Sequence, residues 1–310
     1  MSKKRAMLKI VAAIGAIALA AFFLTFHPNR PLYMKNSAIE FTAVDGVVLR
    51  GTVSSPRWSR KPVPGVVLVH GSGPLARQHV RGDARRLVQL GVAVLSFDKR
   101  GVGASSGVYE QLGGDGAEKT LRQLAADAAS AFDALATTSV VDIERLGFFG
   151  ASQAGWVIPL ASELTSRPPR FNVILSGAAV STGAEQFYSD LTSDGTGEPR
   201  VADRDEVERL VSLFDGPAGF DPLPLLTATR IPTLWLLGGR DQSVPTFASA
   251  RALDAIRASG NDSHTVVMYA SADHSLRDVS TGQPAPIWDD MIRWLRERGI
   301  VDASGRLSSG

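Results

Sequence analysis

Ser152 stands in Gly150-Ala151-Ser152-Gln153-Ala154-Gly155, after the apolar run 146–149 and before a segment with helical periodicity. A serine between a buried strand and a helix, flanked by small residues, fits a nucleophile elbow, a strained turn that lifts the hydroxyl above a sheet edge. The usual form is G-x-S-x-G, and here Ala154 brings one methyl to its last position. The ordinary alternative is a serine that caps the start of a helix. A hydroxyl attacks a carbonyl only when a base takes its proton and an acid orients that base. Two histidines follow Ser152 in the chain, His264 and His274. His264 directly precedes the apolar run 265–269, which puts it at the entry of a strand. His274 follows that run, in Ser271-Ala272-Asp273-His274-Ser275, at the exit edge where elbows open, and is the better base. Asp241 lies just after the apolar run 233–237, in Leu236-Leu237-Gly238-Gly239-Arg240-Asp241, and is the candidate acid, with a turn or helix-capping aspartate as its commonplace alternative. Asp221 lies among prolines, and Asp273 is too near His274 in sequence to orient its ring.

A tetrahedral intermediate also needs two N–H donors for its oxyanion. One is expected from Gln153, the residue after the nucleophile. The other is expected from Ser72 in His70-Gly71-Ser72-Gly73-Pro74, where glycines let the backbone approach a substrate. His70 is expected to pack and fix that loop rather than act as a second base. No cofactor and no metal are expected. Residues 101–107 (GVGASSG) miss the G-x-G-x-x-G spacing and read as a tight loop, and there is neither a P-loop nor an H-E-x-x-H motif. The absence of cysteine removes thiolate nucleophiles, zinc fingers, iron–sulfur clusters and disulfides together.

The elements that position these residues alternate. Short apolar runs at 66–69, 92–97, 146–149, 171–175, 233–237 and 265–269 read as strands buried on both faces. Helices are expected at 77–90, 120–135, 153–164, 246–258 and 286–298. Runs 39–44 and 47–53 flank Asp45-Gly46, a hairpin signal. Such alternation predicts an α/β fold, a mostly parallel sheet with helices on both faces. Residues 181–229 break the rhythm; they are rich in Asp, Glu, Gly and Pro and are expected to form a small cap with one helix at 203–214.

The chain has 310 residues, 44% hydrophobic and 21% charged, which excludes global disorder and collagen-like or coiled-coil architectures. Six cations (Lys3, Lys4, Arg5, Lys9, Arg30 and Lys35) precede the first acidic residue, Glu40, so the overall +2 becomes −4 beyond Lys35. No basic excess is left there for nucleic acid. Residues 10–26 carry no charge and follow the basic cluster, and 6–26 reaches bilayer-spanning length if Lys9 snorkels. The expectation is an N-terminal membrane anchor and tether over 1–35 and a catalytic domain over 36–310, exported because the basic cluster stays inside. The rival is a signal peptide cleaved after Ala18-Leu19-Ala20, although Ala21-Phe22-Phe23-Leu24 continues the apolar run beyond it.

Taken together, HGSGP, SFDKRGVGASSG, GASQAGW, LLGGRDQSVP and ADHSL resemble the α/β-hydrolase superfamily over residues 39–299. Within it they look like exported bacterial hydrolases related to serine aminopeptidases, dienelactone hydrolases and bile-acid-type acyl thioesterases. The resemblance implies Ser152 as nucleophile, Asp241 as acid, His274 as base, the N–H groups of Ser72 and Gln153 as oxyanion hole, and structural roles for Asp98 and Arg100. A carboxylic ester is the expected substrate, with a thioester or an aminoacyl amide as alternatives. The cap carboxylates Glu185, Asp190, Asp194 and Glu198 could meet a substrate amine or form a solvated face. From another class, a non-catalytic binding protein with this fold remains a rival, since fold does not fix function.

Overall fold

The computed structural model describes residues 33–113 and 116–301. Its strands are β1 (Met34–Thr42), β2 (Val48–Pro56), β3 (Val63–Val69), β4 (Ala93–Phe97), β5 (Val141–Ala151), β6 (Phe171–Leu175), β7 (Thr233–Gly238) and β8 (His264–Tyr269). They form one sheet in the order β1-β2-β4-β3-β5-β6-β7-β8. β1 and β2 pair antiparallel, as do β2 and β4, and every later neighbour is parallel. At the hairpin turn Gly46 has φ +85°, which glycine alone adopts freely, and Ala43 N donates to Val47 O at 2.8 Å.

β4 and β6 are buried at every residue. Successive side chains alternate between faces, so one sequence feeds two cores. Val67, Val69, Leu95, Phe97, Phe148 and Ile174 point to one core, with α2 (Ala117–Ala136), α3 (Ala154–Leu164) and, further along the sheet, α7 (Thr246–Ala258). Val66, Leu68, Val94, Phe149, Val173 and Leu175 point to the other, with α1 (Arg81–Gln89) and α8 (Ile287–Glu297). The fold is thus the α/β-hydrolase architecture that the sequence resemblance implies.

Two expectations need correction. The helix expected from 77 starts only at Arg81, because Arg77 N is drawn to Asp98 Oδ1 at 2.9 Å and residues 76–79 form a turn. The insertion at 181–229 holds three α-helices rather than one, α4 (Thr182–Thr192), α5 (Arg204–Ser212) and α6 (Leu223–Ala228), with a single 3-10 turn at Ser193–Gly195. The first buries Thr182, Tyr188 and Thr192 and carries Ala184, Phe187, Tyr188 and Leu191 at helical spacing, a stripe too short to mark where the helix begins. Its start is fixed instead by the Ser181 hydroxyl, which accepts from Ala184 N at 3.2 Å. The expected membrane anchor at 6–26 lies outside the described residues; among those described, no helix is long and apolar enough to cross a membrane.

The loop after β4 is tied down from two sides. Asp98 accepts from Arg77 N and Ala104 N, both at 2.9 Å. Arg100 forms a two-pronged pair with Asp127 of α2 at 2.7 and 2.6 Å and reaches Asp45 of the hairpin turn at 2.8 Å. Both roles match what the resemblance implies. The Arg100–Asp127 pair is almost fully buried, and removing one partner of such a pair leaves an uncompensated charge. Asp127→Ala is therefore expected to cost about 3 kcal/mol in urea unfolding; a loss of well under 1 kcal/mol would show that Asp45 alone suffices.

Candidate active site

β5 ends at Ala151 and α3 begins at Ala154, leaving Ser152 to make the turn at φ +57°. That left-handed conformation is uncommon for any residue but glycine and costs of order 1–3 kcal/mol. It is held by Ser152 N donating to Leu175 O at 2.9 Å and Gly155 N donating to Ser152 O at 2.8 Å. The packing explains the small neighbours. A Cβ on Gly150 would fall 2.5 Å from the Ala154 methyl and 2.7 Å from Val69 O, and one on Gly155 would fall 2.6 Å from Ala178 N. Ala154 is fully buried, and its extra methyl fills the space that Gly150 leaves empty, so the elbow keeps its form.

Asp241 and His274 leave the neighbouring strands β7 and β8 at the same edge. His274 Nδ1 lies 2.8 Å from Asp241 Oδ2. The other carboxylate oxygen accepts from Ser243 N and Val244 N, each at 2.8 Å, so the acid cannot rotate away. The two loops are laced together: Gly239 N donates to Tyr269 O at 2.8 Å and Arg240 N to Ala272 O at 2.7 Å. A Cβ on Gly238 would lie 2.6 Å from Ala272 O, which is why glycine follows the strand there. The cap braces the acid from above, with the Tyr188 hydroxyl donating to Asp241 O and the Thr192 hydroxyl to Gln242 O.

Burial alone would lower the His274 pKa, but its hydrogen bond to Asp241 and that carboxylate's charge, helped by Asp194 and Asp273, outweigh it and hold it above the ordinary value of 6.5. Asp241 itself is buried. The discarded candidates sit where the sequence suggests. His264 is buried at the opposite edge, with Nε2 2.8 Å from Leu226 O and Nδ1 accepting from the Trp235 indole. Asp221 caps the backbone of Leu223, and Asp273 that of Arg277. His70 Nε2 lies 2.7 Å from Phe97 O, and burial pushes its pKa down to about 4, the mark of a neutral packing histidine.

Ser72 is exposed in the loop after β3, and Gln153 is buried at the head of α3, where early helical N–H groups have no partner within the helix. Gly71 touches the elbow; a Cβ there would sit 3.5 Å from Ser152 Cβ. What joins the two loops is a residue the sequence reading passed over. The Lys99 ammonium donates to Gly71 O at 2.6 Å, Gly73 O at 3.0 Å and Gln153 Oε1 at 3.1 Å. It lies over the Tyr109 ring at 5.2 Å, and the Tyr109 hydroxyl accepts from Gly73 N at 3.1 Å. Burial pushes its pKa down to about 8. The available signal was a lysine two residues after a fully buried strand, where a solvated surface lysine is not expected.

Of the four cap carboxylates, Asp190, Asp194 and Glu198 are exposed. Glu185, in the first turn of α4, is half-buried, and burial followed by the charge of Asp194 raises its pKa to about 7, against the opposing pull of His274. A cavity of about 400 Å³ lies beside Asp241, lined by Tyr188, Val201, Arg204, Arg240 and Phe247 among others; neither Ser152 nor His274 lines it. Among the described residues, no group of three or more His, Asp or Glu side chains is placed to hold a metal ion.

The fold is that of an α/β-hydrolase, and Asp241 and His274 are hydrogen-bonded at the sheet edge where Ser152 makes its turn. Residues 78–298 match the model of the prolyl oligopeptidase family, Peptidase_S9, and the chain belongs to that family. Among solved structures it is similar to an esterase from Pyrococcus furiosus (TM-score 0.60, 19% identity, covering 86% of this chain and 91% of that one). It is also similar to an acetyl xylan esterase from Paenibacillus sp. R4 (TM-score 0.60, 19% identity, 87% and 86%). The α/β hydrolase GrgF from Penicillium sp. sh18 gives a TM-score of 0.58 at 18% identity, covering 85% and 99%. At such identities the likeness is one of fold. No curated protein sequence matches the chain.

Because His274 must be neutral to accept a proton, activity is expected to rise with pH through a value above 6.5. An ionised Glu185 favours the imidazolium, so Glu185→Gln should move that rise to lower pH; a rise that stays put or moves upward would contradict the coupling. Lys99→Met should lower kcat by about 10²-fold, the scale of a lost oxyanion donor, with KM changed little and a cooperative melt retained. A raised KM at unchanged kcat would show that Lys99 does not position the oxyanion loops.

Proposed function

We propose that the protein is a serine hydrolase that cleaves a carboxylic ester through an acyl-enzyme, held at a membrane by its N-terminal segment with the catalytic domain outside the cytoplasm. The observation that carries the catalytic part is the 2.8 Å His274–Asp241 bond at the sheet edge where Ser152 makes its left-handed turn. In this reading His274 Nε2 takes the Ser152 proton as the hydroxyl oxygen attacks the acyl carbon. Asp241 fixes the Nδ1–H tautomer and offsets the charge on the imidazolium. The amides of Gln153 and Ser72 receive the oxyanion, and the Lys99 charge behind both loops favours it further. Collapse breaks the ester bond and hands the proton to the departing alcohol. Water, deprotonated by His274, then attacks the acyl-enzyme and releases the acid.

The position of the carboxylates supports a second reading. Glu185, unlike the exposed Asp190, Asp194 and Glu198, is half-buried, and its charge interacts with that of His274; a carboxylate so placed can meet a substrate ammonium. Together with family membership this favours an aminopeptidase-like activity as the alternative to ester cleavage; a thioester would use the same machinery. p-Nitrophenyl esters of rising chain length, acyl-thioesters and aminoacyl-anilides separate the three. The proposal expects the short esters to be turned over fastest, and a clear preference for aminoacyl-anilides that is lost in Glu185→Gln would replace it.

Ser152→Ala is expected to abolish labelling by a fluorophosphonate probe while the far-UV spectrum and melting curve remain those of a folded protein. Persistent labelling of that variant would move the nucleophile elsewhere.

A further inference from the structure

The edge of the sheet opposite Ser152 carries an unusual charge. β2 runs against β4, so its end at Pro56, the start of β1 at Met34 and the start of β3 at Val63 share the edge where the parallel strands begin. There Lys35, Arg57, Arg60 and Lys61 line a cleft of about 170 Å³ that has no carboxylate in its lining. Arg57 is anchored to Met34 O at 3.1 Å, while Lys35, Arg60 and Lys61 are exposed. Further along the same edge, Arg167, Arg170 and Arg230 line a second cleft whose single carboxylate, Glu144, pairs with Arg167 at 3.6 Å. All this sits on a chain whose residues beyond Lys35 sum to −4.

Trp58 projects from the turn after β2, beside the first cleft, with 62% of its surface exposed. An indole beside cations is the pairing favoured at a membrane interface, where the ring sits at head-group level and the cations meet lipid phosphates. The chain also enters the domain here. Arg57 N donates to Tyr33 O at 2.9 Å, and residues 27–32 link that point to the end of the apolar run. Six residues span at most roughly 20 Å.

We infer that this basic edge, with Trp58, docks on an anionic lipid surface and holds the candidate active site facing away from the bilayer. The inference rests on the membrane-anchored reading above. Seven residues of β3 separate the docking edge from the catalytic edge, about 20 Å of strand. The ester therefore arrives from the aqueous phase, and lipids of the supporting bilayer are out of reach.

The test uses the full chain reconstituted into vesicles of phosphatidylethanolamine and phosphatidylglycerol, or of phosphatidylcholine alone, each with a head-group-proximal brominated lipid. Tryptophan quenching that disappears in Trp58→Phe reports on this residue. Docking predicts such quenching on the anionic vesicles, its reduction to the phosphatidylcholine level in the Lys35→Glu, Arg60→Glu, Lys61→Glu variant, and unchanged turnover of a soluble ester by that variant. Equal quenching on both lipids, quenching insensitive to charge reversal, or preferential cleavage of an ester embedded in the same bilayer would each overturn it. Binding to soluble heparin with no Trp58 quenching on vesicles would overturn it in favour of a polyanionic polymer. Failure of the anchor is read separately: release of the full chain from vesicles by high salt refutes the anchor. If low-salt binding to anionic vesicles is then lost on charge reversal, docking by the basic edge stands without it.

Discussion

The site depends on one backbone constraint, the left-handed turn at Ser152 between a strand and a helix that almost touch. A conformation that costs free energy locally persists because its surroundings leave no alternative. Leu175 O holds the Ser152 amide, Gly150 makes room for Ala154, and Gly155 lies against the backbone at 177–178. Each contact comes from the buried middle of the sheet, where close packing makes small displacements expensive. The hydroxyl is thus carried by a tightly packed part of the molecule.

The remaining groups reach the same edge by separate routes with one logic. Asp241 and His274 leave adjacent parallel strands, and glycines at 238 and 239 let their loops be laced by backbone hydrogen bonds. Lys99 leaves β4 and links the loop after β3 to the head of α3. A buried ammonium costs desolvation, and three oxygen acceptors with an aromatic face offset it. The cap adds Tyr188 and Thr192 as clamps on the acid loop. Rigid strands set direction, and polar contacts set the final register.

Much of this was legible in the sequence because the parallel strands are buried on both faces and write continuous apolar runs. The bounds of β6 and α7 follow from those runs and from helical spacing. Asking which polar residue leaves which strand picks out Ser152, Asp241 and His274 as candidates and sets His264 aside. The cap was less legible, since the apolar stripe of α4 (Ala184, Phe187, Tyr188, Leu191) is only two turns long and lies in a segment rich in Asp, Glu, Gly and Pro. Lys99 was missed because its meaning lies in three carbonyl acceptors brought from two distant segments. Glu185 could be named but not distinguished from its neighbours, because burial in a cap is a tertiary property.

The most direct measurement is the structure of the protein after reaction with a small alkyl phosphonate, which stands in for the tetrahedral intermediate. The account predicts phosphorus bonded to Ser152 Oγ, the phosphoryl oxygen within hydrogen-bond distance of the Gln153 and Ser72 amides, and His274 Nε2 in contact with the adduct. Phosphorus on another residue, or a phosphoryl oxygen turned away from both amides, would contradict it.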